Sequence, residues 1–143
     1  MSELEDVLGA LNRAHVRYLL IGGLASILHG VPRTTTDIDL ALDPKPENVR
    51  RALRALHRLG LSPDTDVVED ILGQGGVTVS NDLSVDLLTS LSIGRFSDYW
   101  RRKVTVRYHR TRAPAISRRD QVRILRATGR PNDIEDAEYL ESL

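Results

Sequence analysis

Two aspartates separated by one residue are the side chains of this sequence best suited to chemistry. They lie in Asp37-Ile38-Asp39-Leu40, a segment that predicts a β-strand. Successive side chains of a strand point to opposite faces, so Asp37 and Asp39 should share one face while Ile38 and Leu40 face a core. Neighbouring carboxylates repel each other and are costly to remove from water. The spacing therefore predicts that a cation binds between the two acids.

A glycine pair precedes these acids. An apolar run ends at Ile21, Gly22-Gly23 follows, and a helix is predicted over 24–29. Glycines before a helix leave backbone N–H groups open to a phosphate. Ser26, one turn into this helix, is either a further hydrogen-bond partner for that phosphate or an ordinary surface serine. A phosphate site beside a carboxylate pair is suited to phosphoryl or nucleotidyl transfer.

A third acid, Asp86, belongs to another predicted strand. Val85 and Leu87 alternate with Asp86 and should face a core. If this strand lies beside the first acidic strand, three carboxylates converge and could bind one or two Mg²⁺ (or Mn²⁺) ions, an NTP and an attacking hydroxyl. Asp82 is a close competitor, but its place after Asn81 is typical of a turn.

Together these motifs resemble the polymerase-β-type nucleotidyltransferases. Within that superfamily the AbiEii/MenT-like branch, known as bacterial toxins and phage-defence proteins, is the most similar. The similarity spans roughly residues 18–140 and implies an α/β (α+β) nucleotidyltransferase fold, with a mixed, partly antiparallel sheet flanked by helices. It rests on Gly22-Gly23-Leu24-Ala25, on Arg33-x-Thr35-x-Asp37-x-Asp39, on the strand with Asp86, and on the late segment GRPNDIED at 129–136.

The resemblance implies Mg²⁺-dependent transfer of a nucleoside monophosphate from an NTP to an acceptor hydroxyl. The acceptor stays open among RNA (tRNA in particular), a protein side chain and a small molecule such as an aminoglycoside. Arg33 could brace Asp37 or touch the nucleotide. The implied catalytic and metal-binding residues are Asp37, Asp39 and Asp86. The implied nucleotide-binding residues are Gly22, Gly23, Ser26 and Arg33.

Two positions depart from the resembling family. Leu125 and Asn132 stand where lysines are usual. Arg123 or Arg126 could substitute, although an arginine fork is not equivalent to a lysine point charge. The alternative function is a non-catalytic module of the same fold that acts as a toxin–antitoxin partner subunit. Retention of three mutually repelling acids favours the enzyme.

Charge is distributed unevenly along a chain whose 20 basic and 20 acidic residues balance. Residues 101–130 contain eleven basic residues and one acid, whereas residues 131–143 contain five acids and no base. Several arginines recur at helical spacing and therefore predict a stripe on one helix face, which could contact a polyanionic acceptor or a phosphate. The alternative is a solvated helix face. The stripe consists of Arg119, Arg123, Arg126 and Arg130, and a second one of Arg50, Arg54 and Arg58.

Length and composition set the remaining bounds. The 143 residues, 41% of them hydrophobic, suit one domain over 1–143. No apolar run reaches transmembrane length, and the acidic N-terminal segment lacks the pattern of a signal peptide. The absence of cysteine excludes disulfides and thiolate zinc sites. We expect a cytoplasmic protein with no membrane partner.

Hydrophobic periodicity predicts the order α-β-α-β-α, followed by mostly antiparallel strands and then helices. A capping box at Ser2 and Glu5 should begin a helix that ends near Ala14. Segment 67–72 is ambiguous, and a turn is predicted at 73–76. The other predicted helices are 47–59, 96–102, 117–128 and 133–140. The predicted strands are 16–21, 37–42, 77–80, 83–88 and 104–108.

Overall fold

The structure is a computed structural model that describes residues 3–143, so the Ser2 half of the predicted capping box lies outside the described residues. The helices are α1 (Glu3–Arg13), α2 (Gly22–Leu28), α3 (Pro46–His57), α4 (Val68–Gln74), α5 (Phe96–Arg101), α6 (Arg118–Thr128) and α7 (Pro131–Ser142). The strands are β1 (Tyr18–Ile21), β2 (Ile38–Leu42), β3 (Ser62–Pro63), β4 (Gly76–Ser80), β5 (Ser84–Leu88), β6 (Val104–Tyr108) and β7 (Thr111–Ala115).

Within residues 3–143 the strands form one mixed sheet in the order β3-β4-β5-β2-β1-β7-β6. Strand β2 is antiparallel to β1 and parallel to β5, and β1 is parallel to β7. The remaining neighbours are antiparallel. The predicted mixed, partly antiparallel sheet flanked by helices is confirmed, and β2 lies at its centre.

Side-chain alternation divides the buried residues into a core on each face of the sheet. On one face Leu40 and Leu87 pack with residues of α1, α3 and α4. On the other face Ala41 packs with Ala25 of α2 and with residues of α5. Because Asp39 and Asp86 alternate with Leu40 and Leu87, both acids emerge on the face covered by α2 and α5.

Two parts of the sheet were not predicted from the sequence. Strand β3 has only two residues, and β7 contains Pro114, which argues against an interior strand. The ladder between β1 and β7 is limited to the pair Leu20 and Ala115, so the missing backbone N–H of Pro114 removes little pairing between these strands. The ambiguous segment forms α4, which extends through Gln74 into the predicted turn and ends at Gly75.

A buried asparagine, Asn48, fixes one end of the β1–β2 hairpin, the end that lies farthest from the acids. Asn48 is 3% exposed, and its side-chain oxygen accepts a hydrogen bond from the Arg17 backbone N–H at 2.8 Å. Its amide nitrogen donates to the carbonyl oxygens of Arg17 and Asp43 at 2.9 and 3.0 Å. One side chain thus joins α3 to the start of β1 and the end of β2. No helix among residues 3–143 is long and apolar enough to span a membrane.

We expect Asn48→Ala to lower the free energy of unfolding by about 2–4 kcal/mol, because it leaves buried backbone groups without partners. Urea unfolding followed by circular dichroism would measure the change. Arg50→Ala in the same helix is the control and should cost no more than about 0.5 kcal/mol, since the ion pair of Arg50 with Glu47 is exposed. Equal losses in both variants would show that Asn48 does not fix the hairpin.

Candidate active site

Two of the three predicted acids lie side by side. Strands β2 and β5 run parallel with Asp39 directly opposite Asp86. Neighbouring strands are about 4.8 Å apart, so two carboxylates on the same face are within interaction distance. On the other side of β5, Thr78 of β4 donates a hydrogen bond from its Oγ1 to Asp86 Oδ1 at 2.6 Å. The result is a row of polar side chains across β2, β5 and β4.

The environment of Asp39 disfavours its charged form. Burial raises the pKa of Asp39 to about 6, and the charge of Asp86 and a hydrogen bond shared with Asp86 contribute to the increase. Asp37 raises this pKa further, whereas the positive charge of Arg130 opposes it. Burial and the neighbouring carboxylates together therefore favour the protonated form of Asp39.

Asp37 is close to this pair but does not belong to the strand. It precedes β2 by one residue, is exposed, and its backbone N–H donates to Thr35 Oγ1 at 3.1 Å. Among residues 3–143 no group of three or more Asp, Glu, His or Cys side chains lies close enough to hold a metal ion. The sheet therefore brings Asp39 and Asp86 together, whereas the predicted three-acid cluster is not assembled in this structure.

The glycine pair lies against the acids. Ile21, the last residue of β1, is opposite Asp39, and Gly22 follows with a φ of +66°. A Cβ atom added at Gly22 would collide with Asp39 Oδ2. Glycine is required here both by the left-handed backbone and by the approach of the Asp39 carboxylate.

Arg33 lies over the second glycine. A Cβ added at Gly23 would be 3.1 Å from Arg33 Nη2 and 3.4 Å from Thr35 Oγ1. Arg33 Nη2 is 2.9 Å from Asp136 Oδ2, so the structure pairs Arg33 with α7 rather than with Asp37. Asp136 is 5% exposed, and burial raises its pKa while Arg33 opposes the increase. A buried acid in α7 thus holds a cation next to the glycine turn.

Ser26 has a different environment from the one predicted. It is fully buried, and its Oγ accepts a hydrogen bond from Gln121 Nε2 at 3.0 Å. The same nitrogen donates to the Gly22 carbonyl oxygen at 2.8 Å. In this structure the Ser26 hydroxyl is enclosed between α2 and α6 and supports the turn from inside. Gln121 was not predicted, because a single glutamine in an arginine-rich helix carries no pattern.

The predicted arginine stripe is divided by the end of α6. Gly129 ends the helix, so Arg130 is the N-cap residue of α7, where its Nε lies 2.9 Å from Asp133 Oδ2. From this position the positive charge of Arg130 lowers the pKa of Asp39.

On α6, Arg126 is paired with Glu141, and Arg123 Nη1 is 3.7 Å from Asp120. Arg119 lies near the start of the same helix. The second stripe, on α3, lies behind the opposite face of the sheet from the acids.

The two positions without lysine have different environments. Leu125 is 4% exposed and packs with Val31, Ala137 and Leu140 in a small core between α6 and α7. Asn132 is exposed in the first turn of α7. Neither can supply positive charge, and the cations beside the acids and glycines are Arg33 and Arg130.

Solved structures of similar shape belong to nucleotidyltransferases. The lincosamide antibiotic adenylyltransferase LnuA, in a lincomycin-bound structure, has a TM-score of 0.69 at 18% identity, covering 99% of this chain and 98% of its own. A candidate nucleotidyltransferase from Thermotoga maritima has a TM-score of 0.66 at 20% identity, covering 97% and 88%. The antibiotic-resistance factor ANT(2'')-Ia has a TM-score of 0.68 at 13% identity, covering 96% and 80%.

The chain therefore has the nucleotidyltransferase fold over nearly its whole length. A crystal structure of ANT(2'')-Ia contains adenylyl-2''-tobramycin and has a TM-score of 0.66 to this chain. No protein-family model and no curated protein sequence matches the chain. The narrower similarity to the AbiEii/MenT-like branch stays a prediction from the sequence.

We expect Asp39→Asn to stabilise the chelator-treated protein at pH 8 by up to about 3 kcal/mol, the limit without solvent screening, since the pKa of Asp39 is raised from 3.8 to about 6 and one pKa unit corresponds to about 1.4 kcal/mol. The folded-state pKa of Asp39, about 6, exceeds its ordinary value of 3.8. Wild-type stability should therefore fall as the pH rises from about 4 through 6, and the advantage of the variant should vanish below about pH 4. Urea unfolding at several pH values would measure it. Asp82→Asn, in an exposed turn, is the control, and a pH-independent difference for Asp39→Asn would contradict the assignment.

Proposed function

We propose that this protein is a nucleotidyltransferase that moves a nucleoside monophosphate from an NTP to an acceptor hydroxyl. The observation that carries the proposal is the pairing of Asp39 and Asp86 on adjacent parallel strands, directly beside the Gly22 turn. Acids placed so closely are costly for stability, so a chemical role accounts for them better than a structural one. The adenylyltransferase activity of the similar structures supports the same reaction class.

The triphosphate binds on the glycine side of the acids in this proposal. Gly22 and Gly23 leave the turn free of side-chain atoms, so that phosphate oxygens can approach the backbone. Arg33 lies over Gly23, and Arg130 lies within electrostatic reach of Asp39. These two guanidinium groups provide the positive charge that the resembling family takes from lysines.

The residues of the site fit a hard divalent cation. Carboxylate oxygens are the preferred ligands of Mg²⁺ and Mn²⁺. Burial, the adjacent charge of Asp86 and their shared hydrogen bond raise the pKa of Asp39, and a bound cation would offset the repulsion between the two acids. Asp39 and Asp86 would hold the metal, and the nearby negative charge of Asp37 would strengthen the attraction for it. When bound, the ion would neutralise phosphate charge and polarise the reacting phosphorus.

In the reaction the acceptor oxygen forms a bond to the α-phosphorus of the NTP. The bond from that phosphorus to the bridging oxygen breaks, and pyrophosphate leaves. The hydroxyl proton passes to the carboxylate of Asp86, which Thr78 orients through its hydrogen bond to Oδ1. Asp39 would hold the metal on the side of the site where the triphosphate binds, and Arg33 and Arg130 would stabilise charge on the leaving pyrophosphate.

The second candidate function is a non-catalytic module that serves as a toxin–antitoxin partner subunit. The observation that favours it is the burial of Leu125 where the resembling family has a lysine. A measurement of released pyrophosphate distinguishes the two functions. Production of pyrophosphate from an NTP with Mg²⁺ and a panel of RNA, protein and small-molecule acceptors supports the enzyme. Binding of NTP without any turnover supports the module.

We expect Gly22→Ala to reduce transfer at least about 100-fold, because its Cβ would displace the Asp39 carboxylate. Gly129→Ala is a matched control, since Gly129 also has a positive φ, +69°, but no atom lies within 4 Å of an added Cβ. Both variants should lose about 1–2 kcal/mol of stability from the left-handed backbone. Similar activity in the two variants would show that Asp39 need not approach the turn.

We expect Arg33→Gln and Arg130→Gln each to weaken NTP binding about tenfold, through loss of a charge-assisted contact to phosphate. Calorimetric titration with Mg²⁺-NTP would measure the dissociation constants. Arg54→Gln, on α3 behind the opposite face, is the control and should leave NTP binding unchanged. Unchanged binding in both site variants would remove these arginines from the nucleotide site.

A further inference from the structure

A cleft of about 410 Å³ adjoins Asp86 on the side away from the glycine turn. Its floor is formed by β4 and β5, and its wall by the end of α4 and the loop after β3. The polar side chains that line it are Asp64, Thr65, Gln74, Thr78 and Asp86. The volume falls within the range of small-molecule sites.

The order of the strands places this cleft opposite the triphosphate. Gly22 follows β1, Asp39 lies on β2, Asp86 on β5 and Thr78 on β4, and these four strands are successive neighbours in the sheet. In-line displacement at phosphorus requires the attacking oxygen and the leaving pyrophosphate to lie on opposite sides of the phosphorus. With pyrophosphate on the β1 side, the attacking hydroxyl arrives from the β4 side, where the cleft is.

The charge of the cleft selects among acceptors. Asp64 and Asp86 both line it, and none of the described residues that line it is a lysine or an arginine. Thr65, Gln74 and Thr78 add neutral hydrogen-bonding groups suited to hydroxyls. With Asp86 holding the metal, the Asp64 carboxylate is the free charge of the cleft, and it would repel a phosphate-rich strand and attract an ammonium group.

The arginines that could attract a polyanion lie elsewhere. Those of α6 are on the α2 side of the site, where Gln121 of the same helix contacts Gly22. Arg126 is already paired with Glu141, and Arg123 lies near Asp120, which also receives hydrogen bonds from Arg102. Those of α3 lie behind the opposite face of the sheet. The basic segment of the sequence therefore does not line the acceptor side of Asp86.

We infer that this cleft is the acceptor site, and that the acceptor is a small hydroxylated molecule carrying at least one ammonium group, recognised by Asp64. The inference rests on the proposed function for the location of the reacting phosphorus. Asp64 is exposed at the mouth of the cleft, so it selects the acceptor without contacting the nucleotide. RNA is disfavoured as an acceptor by the same charge.

Two neighbouring aspartates provide a matched pair of variants. Asp64 lines the acceptor cleft, whereas Asp66, two residues later and also exposed, lines a different cleft with Arg50, Arg54 and Arg58. Asp64→Asn should weaken binding of the cationic probes tobramycin and lincomycin about fivefold, as expected for loss of one partly solvated ion pair. Asp66→Asn should leave it unchanged. Neither variant should change the dissociation constant of Mg²⁺-NTP.

Binding is measured by calorimetry and by NMR shifts of the Gln74 and Thr78 amides, with maltotriose as a neutral probe and tRNA as a polyanion. Binding of an amine probe that shifts these amides and weakens in Asp64→Asn alone supports the inference. The inference is overturned if no amine probe binds, if tRNA binds instead, or if both variants behave alike. Titration with Mg²⁺-NTP tests the proposed function separately, so NTP binding without amine binding rejects the acceptor class alone.

Discussion

Repulsion between two carboxylates on adjacent strands is the constraint on which the rest of this structure depends. Asp39 and Asp86 are held in register by β2 and β5 at the centre of the sheet, where neither strand can shift without breaking a ladder. The cores on the two faces, together with the hydrogen bonds of Asn48 at the far end of the β1–β2 hairpin, supply the stability that keeps the acids together. Burial, with the charge of Asp86 as a second cause, raises the pKa of Asp39 to about 6.

The positive charge around these acids comes from segments distant in sequence. Arg33 belongs to the loop before β2, yet its partner Asp136 lies in the last helix. Arg130 begins that helix, and its charge opposes the raised pKa of Asp39. Helix α7 therefore places positive charge beside the glycine turn in two ways, by presenting Arg130 and by anchoring Arg33. Leu125, in contrast, packs in the small core between α6 and α7.

The site is electrostatically asymmetric along the strand order. On the β1 side lie bare glycine backbone and the positive charges of Arg33 and Arg130. On the β4 side the hydroxyls of Thr65 and Thr78, the Gln74 amide and the Asp64 carboxylate line a cleft. In the proposed reaction the first side would receive the triphosphate and the second the acceptor, so that each side could discriminate its own ligand by charge. An overall net charge of zero conceals this division.

Local alternation in the sequence determined the strands that carry the acids, because Ile38 and Leu40, and Val85 and Leu87, must face a core wherever the strands pair. It also determined that a helix follows the apolar run ending at Ile21 and that Gly129 ends another helix. Tertiary structure alone decided that β5 lies beside β2 in the register that sets Asp86 against Asp39. It also decided that Arg33 pairs with α7, that Ser26 is enclosed by Gln121, and that Asp64 lines a cleft beside Asp86. These arrangements depend on contacts between residues far apart in the chain, for which periodicity and turn chemistry carry no information.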